Sequence, residues 1–594
     1  LRFVAAIVSF VLAFVLIGLG LAQRTVFAGP DEVVAEATFD SEAPVAIIDE
    51  EALQAFDGRQ TIDISGSDQV IAAYGRSEDV TAWVGLATHT VLTVDEETGE
   101  VKAKLVKGEE TTVPSAIGSD LWFAEYSGES AVSFSANIPE GISVIFMADG
   151  TQPAPDTVSI SWPTDPRTPW TGPLIVAGVI LLLLGGVLYF WAFRHWRKTR
   201  GPRRKQPKQP KEPKLPRQPR YSNRKAAKAV RPANPAGTDS SAGRRSSRKM
   251  IAIPVVLVGS LVFTGCSADN WPQLGGGSEP SVAASAEADS TDAGIKDPAV
   301  TEKQLARIMD EVATVATEAD AATSEDLLAT RFEGPAYEVR AANYIMRRAD
   351  PAQPLPQAIV GAPIALSLPQ QTDAWPRVVL VVVQDADDET VVPTAVMLEQ
   401  ATPRENYKAQ YAVKLQATEF PDVAASTVGA VRYSPDNKFL KLAPEEVFAA
   451  YSDILLVGAA STYAEQFDLE TDTFIGLAGP DARAARAASV SGPATLSTAL
   501  TAGSGSRIAL ATDNTGAIIT LSFNDTETIT PTEANATIAL LGSVKLLTGL
   551  SETKKGVNVT YGYQLLFYVP PAGSDEKIRL LGATEGVISA GELP

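Results

Sequence analysis

The side chains best suited to chemistry lie in one short run, Gln384-Asp385-Ala386-Asp387-Asp388-Glu389, directly after the apolar stretch Arg377 to Val383. Clustered carboxylates suit a hard divalent cation such as Mg²⁺ or Ca²⁺, so Asp385 and Asp387 are the candidate metal ligands. The same residues equally serve an acidic hairpin loop that must stay solvated. Other chemistry is scarce. His89 and His195 are the two histidines of 594 residues, and Cys266 is the sole cysteine. A disulfide within the chain and a cysteine-rich metal site are therefore excluded. His89 has no partner histidine or cysteine nearby and reads as a structural or surface residue. An external Ser-His-Asp triad would have to be assembled across separately folded modules. No Gly-x-Ser-x-Gly elbow, Gly-x-x-x-x-Gly-Lys loop or His-Glu-x-x-His helix occurs, and Gly503-Ser504-Gly505-Ser506 has loop composition. A two-carboxylate glycosidase stays open, because spacing in sequence does not identify such a pair. No catalytic residue and no cofactor is expected.

Charge and hydropathy show which elements must carry these residues. The chain has 50 basic and 71 acidic side chains, yet 20 of the basic ones fall between Arg194 and Lys249, against two acids, Glu212 and Asp239. Residues 1–24 and 171–196 are expected to be transmembrane helices. The charge-free runs Phe3 to Ala22 and Leu174 to Phe193 would each span roughly 30 Å as helix. Trp170, Tyr189, Trp191 and Trp196 flank the second, as side chains at headgroup level do. Lys and Arg beside a membrane helix stay cytoplasmic, so residues 197–249 form a basic cytoplasmic linker, too rich in Pro, Lys and Gln to bury a core. Such a tail attracts anionic lipid, and no base-reading element accompanies it, so no nucleic-acid partner is expected. Leu1 in place of Met points to an alternative start codon or a longer chain.

Residues 250–266 read as a signal-like or transmembrane segment. Ile251 to Thr264 is apolar and follows Arg244-Arg245-Ser246-Ser247-Arg248-Lys249, the order of charged and apolar regions in a signal peptide. Its end, Leu261-Val262-Phe263-Thr264-Gly265-Cys266, resembles the lipobox of bacterial lipoproteins, which implies a diacylglycerol on Cys266. The alternative is a short third membrane helix with an incidental cysteine. Residues 267–299, Gly, Ser and Ala rich, are a flexible tether.

Two folded parts remain, and both are expected outside the membrane. Residues 25–170 show period-two alternation, as in Val132-Ser133-Phe134-Ser135-Ala136 and Val158-Ser159-Ile160-Ser161-Trp162, and Ile142 to Met147 is apolar on both faces like a central strand. Several short strands punctuated by Asp149-Gly150 and Glu97-Thr98-Gly99 predict a β-sandwich-like domain. Beyond the tether, Thr301-Glu302-Lys303-Gln304 has capping-box spacing and opens a helix with Leu305, Ile308, Met309, Val312 and Val315 on one face. A second helix starts near Gly334-Pro335. Strands follow at Arg377 to Gln384, Val391 to Leu398 and Tyr407 to Gln416, then a helix over Pro444 to Leu456 and strands at 507–512, 517–524 and 557–568. Helices before strands, twice, predict two α+β halves, 300–430 and 431–594, of a cystatin-like or nuclear-transport-factor-like kind.

Certain strings extend this reading. Gly18 to Thr25, Asp79-Val80-Thr81-Ala82-Trp83-Val84-Gly85, Gly334-Pro335-Ala336 with Arg340-Ala341-Ala342-Asn343-Tyr344, and Leu566-Phe567-Tyr568-Val569-Pro570-Pro571 resemble an uncharacterised family of membrane-anchored envelope proteins of high-GC Gram-positive bacteria. The resemblance implies location and architecture, and carries no functional residue with it. Members sometimes bear a glycosyltransferase label, and Asp385-Ala386-Asp387 resembles the Asp-x-Asp element of such enzymes. The expected function is a non-enzymatic, multi-pass cell-membrane protein with extracytoplasmic domains for binding or scaffolding. Its partners would be membrane lipid and an envelope protein or glycan. The alternative is an accessory or catalytic component of cell-wall glycan metabolism.

Overall fold

The structure is a computed structural model that describes residues 2–25, 32–95, 98–164, 170–199, 296–386 and 391–594. It divides into two units, Leu1–Asp31 with Thr164–Ala284, and Glu32–Pro163 with Ser285–Pro594. Cys266, Asp387 and the stretch 200–295 lie outside the described residues.

After helix α1 (Arg2–Thr25), the first module runs β1 (Glu32–Thr38), β2 (Val45–Ile48), α2 (Glu50–Leu53), β3 (Gln60–Arg76), α3 (Ser77–Val84), β4 (His89–Val94), β5 (Val101–Val106), β6 (Ala124–Ala136), β7 (Ile142–Met147) and β8 (Thr157–Pro163). All eight strands join one sheet, ordered β1-β8-β3-β7-β2-β4-β5, with β6 on the other side of β3. The expected sandwich would have two separate sheets, and β3 is the reason for the difference. Thr61 to Ser65 pair with β8, Ile71 to Arg76 pair with β7, and the register shifts between Ser65 and Gln69. Gly66 lies in that shift at φ +102°, where a Cβ would also run into Asp156 Oδ1, so the bend needs glycine. The bent sheet wraps a core containing Ile62, Phe134, Val144, Phe146 and Trp162. It nearly closes, since β1 and β5 approach one another. The opposite face of β2 and β7 is covered by Val80, Trp83 and Val84 of α3 together with Trp122, which is why β7 is buried on both sides.

Helix α4 (Thr171–Thr199) pairs antiparallel with α1: Phe3 meets Tyr189 at 5.9 Å, and Gly20 lies at Thr171 and Ile175. Ala6, Ala13 and Gly20, each seven residues apart, form the buried stripe of α1. Opposite them, a Cβ on Gly178 would come within 2.6 Å of Ile17, and one on Gly185 within 3.2 Å of Phe10. Close approach over small residues is how apolar helices associate where no water drives them together. Their outward faces, with Val4, Ile7, Val11 and Phe14 on α1 and Leu183, Val187 and Phe190 on α4, are apolar and exposed. Both helices are long and apolar enough to cross a membrane.

The C-terminal module runs α5 (Glu302–Ala322), α6 (Glu325–Leu328), α7 (Gly334–Ala349), β9 (Ile364–Pro369), β10 (Arg377–Val383), β11 (Thr394–Gln400), β12 (Lys408–Lys414), α8 (Pro444–Val457), α9 (Ile475–Ala478), α10 (Pro480–Ser489), β13 (Ala494–Ala502), β14 (Ile508–Ala511), β15 (Ala517–Pro531), β16 (Ile538–Ala539), α11 (Gly542–Thr548), β17 (Glu552–Thr553), β18 (Val557–Val569) and β19 (Arg579–Glu592). Helices precede strands twice, and the Thr301–Gln304 capping box is formed. One antiparallel sheet is ordered β12-β11-β10-β9 and the other β13-β15-β18-β19, with β14 also on β15.

Period-two alternation sets the layers. Val379, Val381, Val383, Val396 and Leu398 pack under Ile308, Met309 and Val312 of α5 and Tyr344 of α7. The other face of the same strands, Val378, Leu380, Val382, Ala395 and Met397, packs on Ile508, Leu510, Ile518, Leu566 and Tyr568 of the second sheet. That sheet's far face, Ile519, Leu521, Phe523, Leu565 and Phe567, packs on Val447, Tyr451, Ile454 and Leu455 of α8. The result is helix, sheet, sheet, helix, and strands buried on both faces read as unbroken apolar runs. Leu380, 0% exposed between the sheets, should make Leu380→Ala cost about 2–5 kcal/mol in chemical denaturation of the detergent-solubilised chain.

Candidate functional site

Of the Asp-x-Asp run, Asp385 is described and Asp387 is not. Asp385 lies half-buried after β10, which pairs with β11 in the register Val383↔Thr394, and the Gln384 side-chain amide donates to Val391 O at 2.9 Å. Among the described residues, no group of three or more His, Cys, Asp or Glu is placed to hold a metal ion. His89 begins β4 with Nδ1 2.8 Å from Ala87 O, and His195 is an exposed residue near the end of α4.

The concentrated polar chemistry lies instead where the first module meets the C-terminal one. Two carboxylates of the first module are buried there, Asp79 in α3 and Asp120 in the loop before β6, each 2% exposed. Arg331, after α6, grips Asp120 with both ends of its guanidinium, Nη1 to Oδ2 at 2.5 Å and Nη2 to Oδ1 at 3.2 Å. Asp120 Oδ2 also accepts from the Tyr407 N–H at 2.8 Å. Arg377, the first residue of β10, donates Nη2 to Asp79 Oδ1 at 2.6 Å and to Asp373 O at 3.1 Å, with its Cζ 3.8 Å from the centre of the Trp375 ring. Planar, delocalised guanidinium suits both a bidentate carboxylate and an aromatic face, so lysine would not substitute for either arginine.

Further hydrogen bonds and one aromatic contact complete the junction. Gln304, the last residue of the capping box, donates Nε2 to Leu121 O at 2.9 Å, and Arg307 Nη2 reaches Trp122 O at 2.8 Å. Asn406 bonds Gly118 O and the Asp120 N–H. Arg404 donates Nε to Trp83 O at 2.7 Å and Nη2 to Val84 O at 2.8 Å, supplying a cation to the last carbonyls of α3, where the helix dipole is negative. Trp375 packs against the apolar cluster of Trp83, Trp122 and Val80, so one large aromatic from the C-terminal module closes the core of the first. At the same junction Glu78 has a raised pKa, through burial and then the facing Asp373 carboxylate, which Lys296 partly offsets.

A second polar cluster lies inside the C-terminal module. The Gln410 amide donates to Glu399 at 2.9 Å and Glu333 at 3.0 Å, and its oxygen accepts from the Ser506 N–H. Burial raises the pKa of Glu399, with Arg432 opposing and Glu333 adding to the shift. It bridges the two halves and has the form of a structural network.

None of Asp120, Arg331, Arg377 or Arg404 is visible as a site in the sequence. The available signal is weak: Arg377 heads a strand otherwise made of Val and Leu, and Asp79 lies one turn before Trp83.

Two outcomes follow. Arg331→Ala leaves Asp120 buried without its cation and should destabilise the chain by about 3–5 kcal/mol in denaturant titration. Glu399 gains its proton more readily folded than unfolded, so its contribution to stability falls as pH rises from the unfolded carboxylate range through the raised folded value. Glu399→Gln should therefore melt higher than the parent at pH 8 and approach it as the pH falls to about 3, below the ordinary glutamate value, where the side chain is neutral in both states.

Comparison with curated proteins and with solved structures found no match. Residues 296–592, which run from just before α5 through β19, match the model of a domain of unknown function (DUF8094), and the chain belongs to that family.

Proposed function

We propose that the chain is a membrane-anchored cell-envelope protein without a catalytic role, whose two folded modules form one extracytoplasmic head for binding or scaffolding. The observation that carries this reading is the buried junction. Modules joined by Asp79–Arg377 and Asp120–Arg331 share one side of a bilayer, because a membrane between them would hold those groups apart. The chain leaves the first module at Pro163, enters α4 and rejoins the same body at 296. With α4 crossing once, a second passage must follow between 200 and 295. The one long uncharged stretch of that interval is the run from Ile251 to Ala268, which contains Cys266. A third span and a lipoprotein signal with lipidated Cys266 both meet this requirement. The basic residues 194–249 assign the intervening stretch to the cytoplasm and the head to the outside. The resemblance to envelope proteins of high-GC Gram-positive bacteria agrees, and the partners are then membrane lipid and an envelope protein or glycan.

Cysteine labelling in intact bacterial cells tests the arrangement. A membrane-impermeant maleimide should modify Thr98→Cys and Asp575→Cys alike, one exposed position in each module, and should modify Ser240→Cys only after lysis. Labelling of one module without the other contradicts the reading. Metal-dependent turnover of a glycan donor, lost in Asp385→Asn, would replace binding with catalysis.

A further inference from the structure

The second sheet of the C-terminal module ends in an edge strand of unusual composition. β13 reads Ala494-Thr495-Leu496-Ser497-Thr498-Ala499-Leu500-Thr501-Ala502, nine residues without a charge, proline or glycine. Proteins ordinarily blunt such edges, and the first module does so, with Glu32 and Glu36 on its edge strand β1 and Lys102 and Lys104 on β5. β13 carries no such device.

Register shows which groups the edge offers. β13 pairs with β15 from Ala494↔Pro531 to Ala502↔Phe523. The bonds Gly503 N–H to Ser522 O and Thr532 N–H to Pro493 O continue that register at both ends. Odd-numbered residues therefore turn their peptide groups toward β15, and Leu496, Thr498 and Leu500 turn theirs outward. Their side chains are half-buried on the face that carries the α8 core, where Leu500 packs, while Thr495, Ser497, Ala499 and Thr501 face solvent.

The strand is also nearly palindromic about Thr498: Leu500 mirrors Leu496, Thr501 mirrors Thr495 and Ala502 mirrors Ala494, with Ser497 and Ala499 the one unlike pair. A two-fold axis through Thr498 would lay β13 antiparallel on a second copy of itself. Each outward peptide group then meets an outward peptide group, Thr498 with Thr498, Leu496 with Leu500. Leucine faces leucine on the core side and threonine faces threonine on the solvent side, and such cross-strand pairs are the units that stabilise a sheet. A self-complementary surface is what an isologous dimer requires, and with no charge on the strand nothing repels at the axis.

We propose that β13 is a homodimerisation edge, through which two copies of this chain join their second sheets into one continuous antiparallel sheet with its dyad at Thr498. The occupant is thus a second copy rather than an extended peptide of another protein.

Oxidative cross-linking of the full-length chain, with Cys266 retained and linkages located by peptide mapping, tests this. Facing residues at the dyad would have Cα atoms about 5.5 Å apart, inside the disulfide range. The 495 positions would be separated by roughly 20 Å. Thr498→Cys should give a disulfide-linked dimer through its own peptide, at least tenfold faster than Thr495→Cys. Thr498→Pro removes only an outward N–H, which β15 does not use, and should shift the parent dimer to monomer in light scattering while keeping its melting transition. Equal cross-linking at 498 and 495, a monomeric parent at all concentrations, or a Thr498→Pro variant that stays dimeric would each overturn the proposal, the last by placing the contact on another surface.

Discussion

A carboxylate sealed away from water must find a cation, and in this molecule Asp120 finds Arg331 across more than two hundred residues of chain. Buried ion pairs are poor sources of net stability, because desolvating both charges offsets most of their attraction. Their value is in selection. Asp120 and Asp79 penalise any arrangement in which Arg331 and Arg377 are not in place, while the apolar attraction comes from Trp375 set against Trp83 and Trp122. Arg404 adds direction, since the carbonyls it caps exist only once α3 has formed. The junction therefore fixes one docking geometry, and it keeps both modules on one side of any membrane the helices cross.

The layered C-terminal module explains why the junction is rigid enough to matter. Both sheets have two apolar faces, each sheet shares one face with the other, and helices close the outer two. Arg377 heads a central strand of that stack and Arg331 follows the short helix α6, so the cations are presented by framework. Asp320, gripped by Arg340 and bonded by Tyr344, ties α5 to α7 in the same way. The bond from the Ser506 N–H to Gln410 does so between the two halves.

Much of this was legible where one physical signal dominates. Period-two alternation marks β8 and β18, the apolar run marks β10, and Thr301 with Gln304 marks the start of α5. The long uncharged runs mark α1 and α4, whose glycines then prove to be their meeting surface. Signals failed where a structure depends on a distant partner. Asp120 lies in an ordinary-looking turn, and its burial is decided by Arg331. β13 sets only Leu496 and Leu500 among Ala, Thr and Ser, too small a burial contrast to show a period, and Gly-rich β19 is hidden likewise. Gly66 looks like any turn glycine, yet it bends β3 and makes one wrapped sheet of what reads as two.

Segments that the sequence keeps far apart are united here without a covalent link. That union is tested most directly by cutting the connection. A protease site placed at Ser240 would sever the detergent-solubilised chain between α4 and the C-terminal module. The two fragments should then co-elute as one species and separate when Asp120→Arg is introduced. Fragments that part as soon as the link is cut, with the parent junction intact, would contradict it.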